Sequence, residues 1–143
     1  MCIRDREGGA SLAEDIPTGN GQWTWVNLWA GWCAPCKEEM PMLAAWETKL
    51  RAAGTPVRFA FLSVDDDERQ ARRFLASQPA VKRSWRLPEG EGRTAWLEAV
   101  GLPPSPELPV HVLFDGAGAL RCVVTGAISE ADFPRVQAIV AKK

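Results

Sequence analysis

Cys33 and Cys36 stand two residues apart in the stretch Trp32-Cys33-Ala34-Pro35-Cys36. Two thiols at that spacing can close into a disulfide and reopen, taking up and giving back two electrons. The nucleophile in such exchange is the thiolate, so the chemistry needs a setting that favours it. The flanking residues supply one. Trp25-Val26-Asn27-Leu28-Trp29-Ala30 is an apolar run of strand character, and Lys37-Glu38-Glu39-Met40-Pro41-Met42-Leu43 reads as helix. A strand then delivers Cys33 to a loop where a helix begins. The unpaired N–H groups and partial positive charge of a helix N-terminus stabilise a thiolate over a thiol. A structural zinc site is the weaker reading, because it needs four ligands. Only Cys2, Cys122 and His111 remain, and they are isolated with no ligand spacing. No metal and no cofactor is expected.

The elements around this pair belong to one domain. The chain has 143 residues, of which 46% are apolar, enough for a core,. No run approaches the length of a membrane span,. The formal net charge is −1 and the basic residues do not cluster, which argues against nucleic acid as a partner,. Seven Trp stand against no Tyr. Most are expected in the core, whereas Trp32, beside the cysteine, is expected to be exposed and substrate-facing. Residues 1–10 are polar, lack the apolar stretch of a secretory signal, and are read as a disordered or artefactual segment,. The domain is placed at 11–143.

Along the chain, residues 11–15 suggest a short helix or turn, and Thr18-Gly19-Asn20-Gly21 is a turn cluster,. A strand over about 22–30 is apolar almost throughout, as in a sheet covered on both faces,. The helix over about 34–53 carries Cys36, Met40, Leu43, Trp46 and Leu50 at helical spacing, with a kink expected at Pro41,. A second strand is expected over 56–64 and a helix over 68–77, with the Asp65-Asp66-Asp67 triplet capping that helix in solvent,. A short strand over 81–85, a helix over 93–100 and a proline-rich loop follow. Val110–Phe114 and Leu120–Thr125 read as a hairpin, and Ser129-Glu130-Ala131-Asp132 as a capping box before a last helix,. The alternation of strands and helices implies an α/β layer structure. Cys122 reads as a buried free thiol, and His111 as a packed strand residue without a catalytic part,.

The stretch from Val26 to Pro41 resembles the thioredoxin superfamily, and within it the TlpA/ResA-like thiol–disulfide oxidoreductases of bacteria. The likeness continues at Leu62-Ser63-Val64-Asp65, Leu108-Pro109-Val110, Phe114-Asp115-Gly116 and Thr125-Gly126, and is poor over 79–106. It implies a thioredoxin-like fold, a central mixed sheet with helices on both faces. It implies reduction of protein disulfides, with Cys33 attacking, exposed, and Cys36 resolving, packed. It makes Pro109 a cis-proline across from the dithiol, with Leu108 offering its backbone to an extended substrate. Trp32, Ala34 and Pro35 complete the expected substrate surface. Asn27 stands where thioredoxin keeps a buried Asp, and Glu39 matches a Glu that modulates the thiols. The implied partners are disulfide-bearing client proteins, including apocytochrome c, and an upstream thiol donor such as a membrane thiol transporter. The implied setting is the bacterial cell envelope, with a monomer acting there. The rival readings are a general cytosolic thioredoxin and a non-catalytic binding module.

Overall fold

In the computed structural model, residues 4–5 and 16–141 are described. The expectations for the rest of 1–10 and for 11–15 lie outside them. Arg4–Asp5 form a two-residue strand, β1. The Thr18–Gly21 turn leads into β2, Trp23–Trp29, all of whose residues are buried. Helix α1 spans Ala34–Ala52 and continues through Pro41. It ends where Gly54 takes a φ of 83°, a conformation that costs glycine little,. Strand β3 is Val57–Ser63, α2 is Arg69–Ala76, and β4 is the three-residue Ser84–Arg86. Helix α3 covers Glu91–Ala99, and β5, Val110–Phe114, turns back as β6, Leu120–Thr125. The Ser129–Asp132 capping box is present and starts a short 3-10 turn that runs into α4, Phe133–Val140.

The sheet order is β1-β6-β5-β2-β3-β4. The β2–β3 and β3–β4 pairs are parallel, and β2–β5, β5–β6 and β1–β6 are antiparallel. The mixed sheet expected from the resemblance is therefore observed. Strand alternation divides the core in two. Trp25, Trp29, Phe59, Phe61 and Leu113 face Met40, Leu43, Trp46 and Leu50 of α1, with Ala71 of α2 and Phe133, Val136 and Val140 of α4. Val26, Leu28, Ala60, Leu62, Val110 and Val112 face Trp96 and Leu97 of α3. Helices thus cover both faces, which is why β2 carries no polar side for solvent. Trp25, Trp29 and Trp46 place their N–H groups on partners: Trp29 Nε1, for one, donates to Ser84 Oγ at 3.0 Å,.

Asn27 and His111 are among the buried polar residues inside this frame. The antiparallel register sets Asn27 of β2 beside His111 of β5. Both belong to the face that packs on α1, the helix that carries the dithiol.

Candidate functional site

The site lies where β2 ends and α1 begins. Cys33 is the N-cap of α1, with extended backbone, and its Sγ accepts from the backbone N–H of Cys36 at 3.3 Å. Sulfur therefore occupies the place where a capping side chain usually satisfies a free helix N–H. Pro35 lies in the first turn, where its missing N–H leaves no bond unmade,. Cys33 and Cys36 are joined as a disulfide.

Cys33 was expected to be exposed, and the structure corrects this: it is 5% exposed and Cys36 is 0%. The order is as expected, but the sulfurs are reached only along the surface around them. That surface is apolar. Trp32 is 64% exposed, and Ala34 and Pro35 are exposed beside it.

Asp65 also departs from expectation. It is buried, not a solvent-facing cap, and both its carboxylate oxygens accept the Gly31 N–H, at 2.9 and 3.0 Å. Ser63 Oγ donates to the same carboxylate at 2.6 Å. The end of β3 thereby holds the loop that presents Cys33. Gly31 allows this approach, since a Cβ there would press on the backbone N of Ala71 and lie 2.6 Å from the Gln70 carbonyl carbon,. Only Asp67 of the triplet serves α2, accepting from the Arg69 N–H at 3.1 Å. Hydrogen bonds from the Arg69 side chain lower its carboxyl to about 2, so that charge is already paired at the protein surface.

The Leu108–Pro109 peptide bond is cis. Pro109 is buried and its carbonyl accepts from Gly126 N–H at 2.9 Å. Leu108 is half-buried and lines a hollow of about 170 Å³ with Trp32, Val64, Leu97, Pro104 and Pro106. The Arg93–Asp66 ion pair, 3.1 Å, stands at its rim. The segment over 79–106, where the family likeness is weakest, therefore forms α3 and one wall of the hollow that Trp32 lines. Trp32 and Leu108 meet in this hollow, although they are far apart in the chain.

Glu39 is on the buried face of α1, 5% exposed. Its Oε2 accepts from the Ile128 backbone N–H at 3.0 Å, and its Oε1 from Asn27 Nδ2 at 3.4 Å. His111 Nε2 lies 3.0 Å from the same Oε1. Sequence reasoning set His111 aside, and the structure places it against Glu39. Alternation along β5 could have found its face, but not its neighbour. The reading of Cys122 as a free thiol is likewise corrected, because Cys122 is disulfide-bonded.

The thioredoxin-like family profile matches residues 21–101, more than half of the chain. The thioredoxin-like protein YneN of Bacillus subtilis is 33% identical over 74 residues, 52% of this chain and 42% of that protein. The thiol-disulfide oxidoreductase ResA of Geobacillus thermodenitrificans is 26% identical over 136 residues, 92% of this chain and 69% of that one. The chain thus spans less than half of one curated relative and about two thirds of the other. The crystal structure of a secreted thiol-disulfide isomerase from Corynebacterium glutamicum superposes with a TM-score of 0.68 at 26% identity, covering 97% of this chain and 85% of that one. The matched segment contains β2, α1 and β3, the crossover that carries the dithiol, and on that ground the chain belongs to the thioredoxin-like family, with ResA-like thiol–disulfide oxidoreductases among its relatives.

Proposed function

We propose that this chain is a thiol–disulfide oxidoreductase that reduces disulfides in client proteins. The observation that carries this reading is the Cys33–Cys36 pair at the N-terminus of α1, with Cys33 Sγ on the Cys36 N–H. In the reduced protein the Cys33 thiolate attacks one sulfur of a client disulfide. The client bond breaks, one client cysteine leaves as thiolate, and a mixed disulfide joins Cys33 to the other. Cys36 then gives up its proton, attacks Cys33 Sγ and displaces the second client cysteine. The client has gained two electrons, and the protein is left with the disulfide seen here.

Glu39 is the proton acceptor for Cys36 in this reading. It lies three residues on along α1, one turn away, and both residues are buried,. Asn27 cannot take the proton, since an amide is not a base at neutral pH. Trp32, Ala34, Pro35, Leu108 and Pro109 form the surface for the client, with an apolar client side chain seated in the hollow between Trp32 and Leu108. The clients are disulfide-bearing proteins, with apocytochrome c among the candidates. A membrane thiol transporter re-reduces the pair, and the protein works as a monomer in the cell envelope. A relative described as secreted supports that location.

Turbidity in an insulin reduction assay with dithiothreitol as donor tests the activity. Catalysed precipitation that is lost in Cys33→Ser is the expected result. A rate equal to dithiothreitol alone would overturn the reading.

A further inference from the structure

We propose that His111 is a positioning residue of the redox site: it holds the Glu39 carboxylate as proton acceptor for Cys36, with its own tautomer set by Trp25. The inference rests on the role given to Glu39 above and extends it to a residue outside the motif.

His111 is the single histidine of the chain and is 0% exposed. Its Nδ1 takes a hydrogen bond, while its Nε2 makes no aligned hydrogen bond and stands close to a carboxylate oxygen. Trp25 Nε1 lies 2.9 Å from His111 Nδ1. An indole N–H can only donate, so Nδ1 is the acceptor, and the proton of the neutral ring sits on Nε2. That nitrogen is the one 3.0 Å from Glu39 Oε1. The Trp25 ring meets the imidazole edge-on, at 5.5 Å between centroids and 81° between planes, which fixes the ring's orientation. The remaining polar groups facing the pair are Asn27 Nδ2, 3.4 Å from His111 Nδ1 and from Glu39 Oε1, and the Ile128 N–H on Oε2.

A side chain needed only to fill the core would be apolar here, because a buried polar group costs free energy unless its bonds are made. The ring instead spans the gap between two fixed groups, Trp25 on β2 and Glu39 on α1. This keeps Oε1 in one place while Glu39 gains and loses a proton. In the resolving step, the Cys36 S–H proton passes to the Glu39 carboxylate. The Cys36 thiolate attacks Cys33 Sγ, the Cys33–client bond breaks, and the client leaves as thiolate. Glu39 then releases the proton to that thiolate or to solvent. His111 keeps its Nε2 proton throughout.

Two substitutions separate the ring's two contacts. His111→Asn can place an amide oxygen near the Nδ1 position, keeping an acceptor for Trp25 while losing Glu39. His111→Gln is long enough to place an amide N–H near the Nε2 position, on Glu39. Rapid-mixing kinetics with a disulfide peptide read the two steps apart. For His111→Asn we expect the resolving step to slow on the order of tenfold, less than the roughly 10²–10⁴ that general acid–base catalysis itself supplies, with a displaced pH profile and an unchanged first attack. His111→Gln should restore the rate and the profile, and His111→Asn should add nothing in a Glu39→Gln background. An unchanged pH profile in His111→Asn, or equal slowing in both variants, would overturn the proposal. Nitrogen-15 NMR of the intact wild-type protein tests it without substitution: a single imidazole signal with the proton on Nε2 supports it, and a proton on Nδ1 overturns it. Failure of the wild type to reduce the peptide would overturn the oxidoreductase reading instead, and the NMR result would stand apart from that.

Discussion

Both carboxylate oxygens of Asp65 face the one backbone N–H of Gly31, at 2.9 and 3.0 Å. The contact links the end of β3 to the residue two before Cys33, so the nucleophile's loop is tied to the rigid sheet. Ser63 Oγ, 2.6 Å from Asp65 Oδ2, fixes the carboxylate in turn. Replacing Asp65 with Ala leaves the Gly31 N–H and the Ser63 hydroxyl buried without their acceptor. Each buried group left unpaired costs about 1–3 kcal/mol. Urea unfolding of Asp65→Ala should show a loss of about 2–6 kcal/mol for the two groups together, and insulin reduction should slow. A midpoint equal to wild type would mean the contact contributes nothing to holding the loop.

The two cysteines divide the work by position. Cys33 caps the helix and has the residual exposure, while Cys36 is closed off beneath it. Cys36→Ser should therefore accumulate covalent complexes with clients, visible on non-reducing gels and released by dithiothreitol. Cys33→Ser should accumulate none. Equal trapping by both variants would remove the assignment of attacker and resolver.

Glu39→Gln probes the proton acceptor. Two N–H groups donate to the carboxylate, Ile128 N to Oε2 and Asn27 Nδ2 to Oε1, and His111 Nε2 lies 3.0 Å from Oε1. A carboxylate accepts from both donors, whereas an amide must turn its NH₂ toward one of them. The variant should lose about 1–3 kcal/mol of stability for that mismatch and still fold, since a domain has roughly 5–15 kcal/mol in hand. Its thiol titration, followed by thiolate absorbance, should differ from wild type, and turnover should fall. An unchanged titration would reduce Glu39 to a packing residue.

Strands and helices that bury a regular pattern were legible from the chain. The strands Val110–Phe114 and Leu120–Thr125 match their expected spans, and α1 ends one residue short of its own. Strand β4 shifted from 81–85 to Ser84–Arg86, because a three-residue edge strand has too few side chains to show an alternation,. The dithiol and its helix were legible since their chemistry is local. Asp65 was not: a carboxylate after a strand looks the same whether it meets water or the N–H of Gly31, 34 residues earlier. His111 was hidden for a related reason. Its face follows from alternation, but its contact with Glu39 depends on the β2–β5 register and on how α1 lies over the sheet,.

The direction of electron flow follows from what stands near the nucleophile. Strong oxidants owe their potential to over-stabilisation of the reduced form, which a cationic group beside the attacking thiolate supplies. Ala34 and Pro35, the residues between the cysteines, offer no such group. The hydrogen-bond donor on Cys33 Sγ is the neutral N–H of Cys36. The single histidine is engaged with Trp25 and Glu39 inside the core. Lys37, the nearest cation in the chain, lies over the Phe74 ring at 6.0 Å. The helix terminus is then the main source of thiolate stabilisation, as in reducing thioredoxins. Equilibration of Cys33–Cys36 in a dithiothreitol redox buffer should give a potential of roughly −270 to −220 mV, between thioredoxin and the more reducing glutaredoxins. A potential near about −120 mV, that of the strong periplasmic oxidant, would mean that the protein makes disulfides in its clients rather than breaking them.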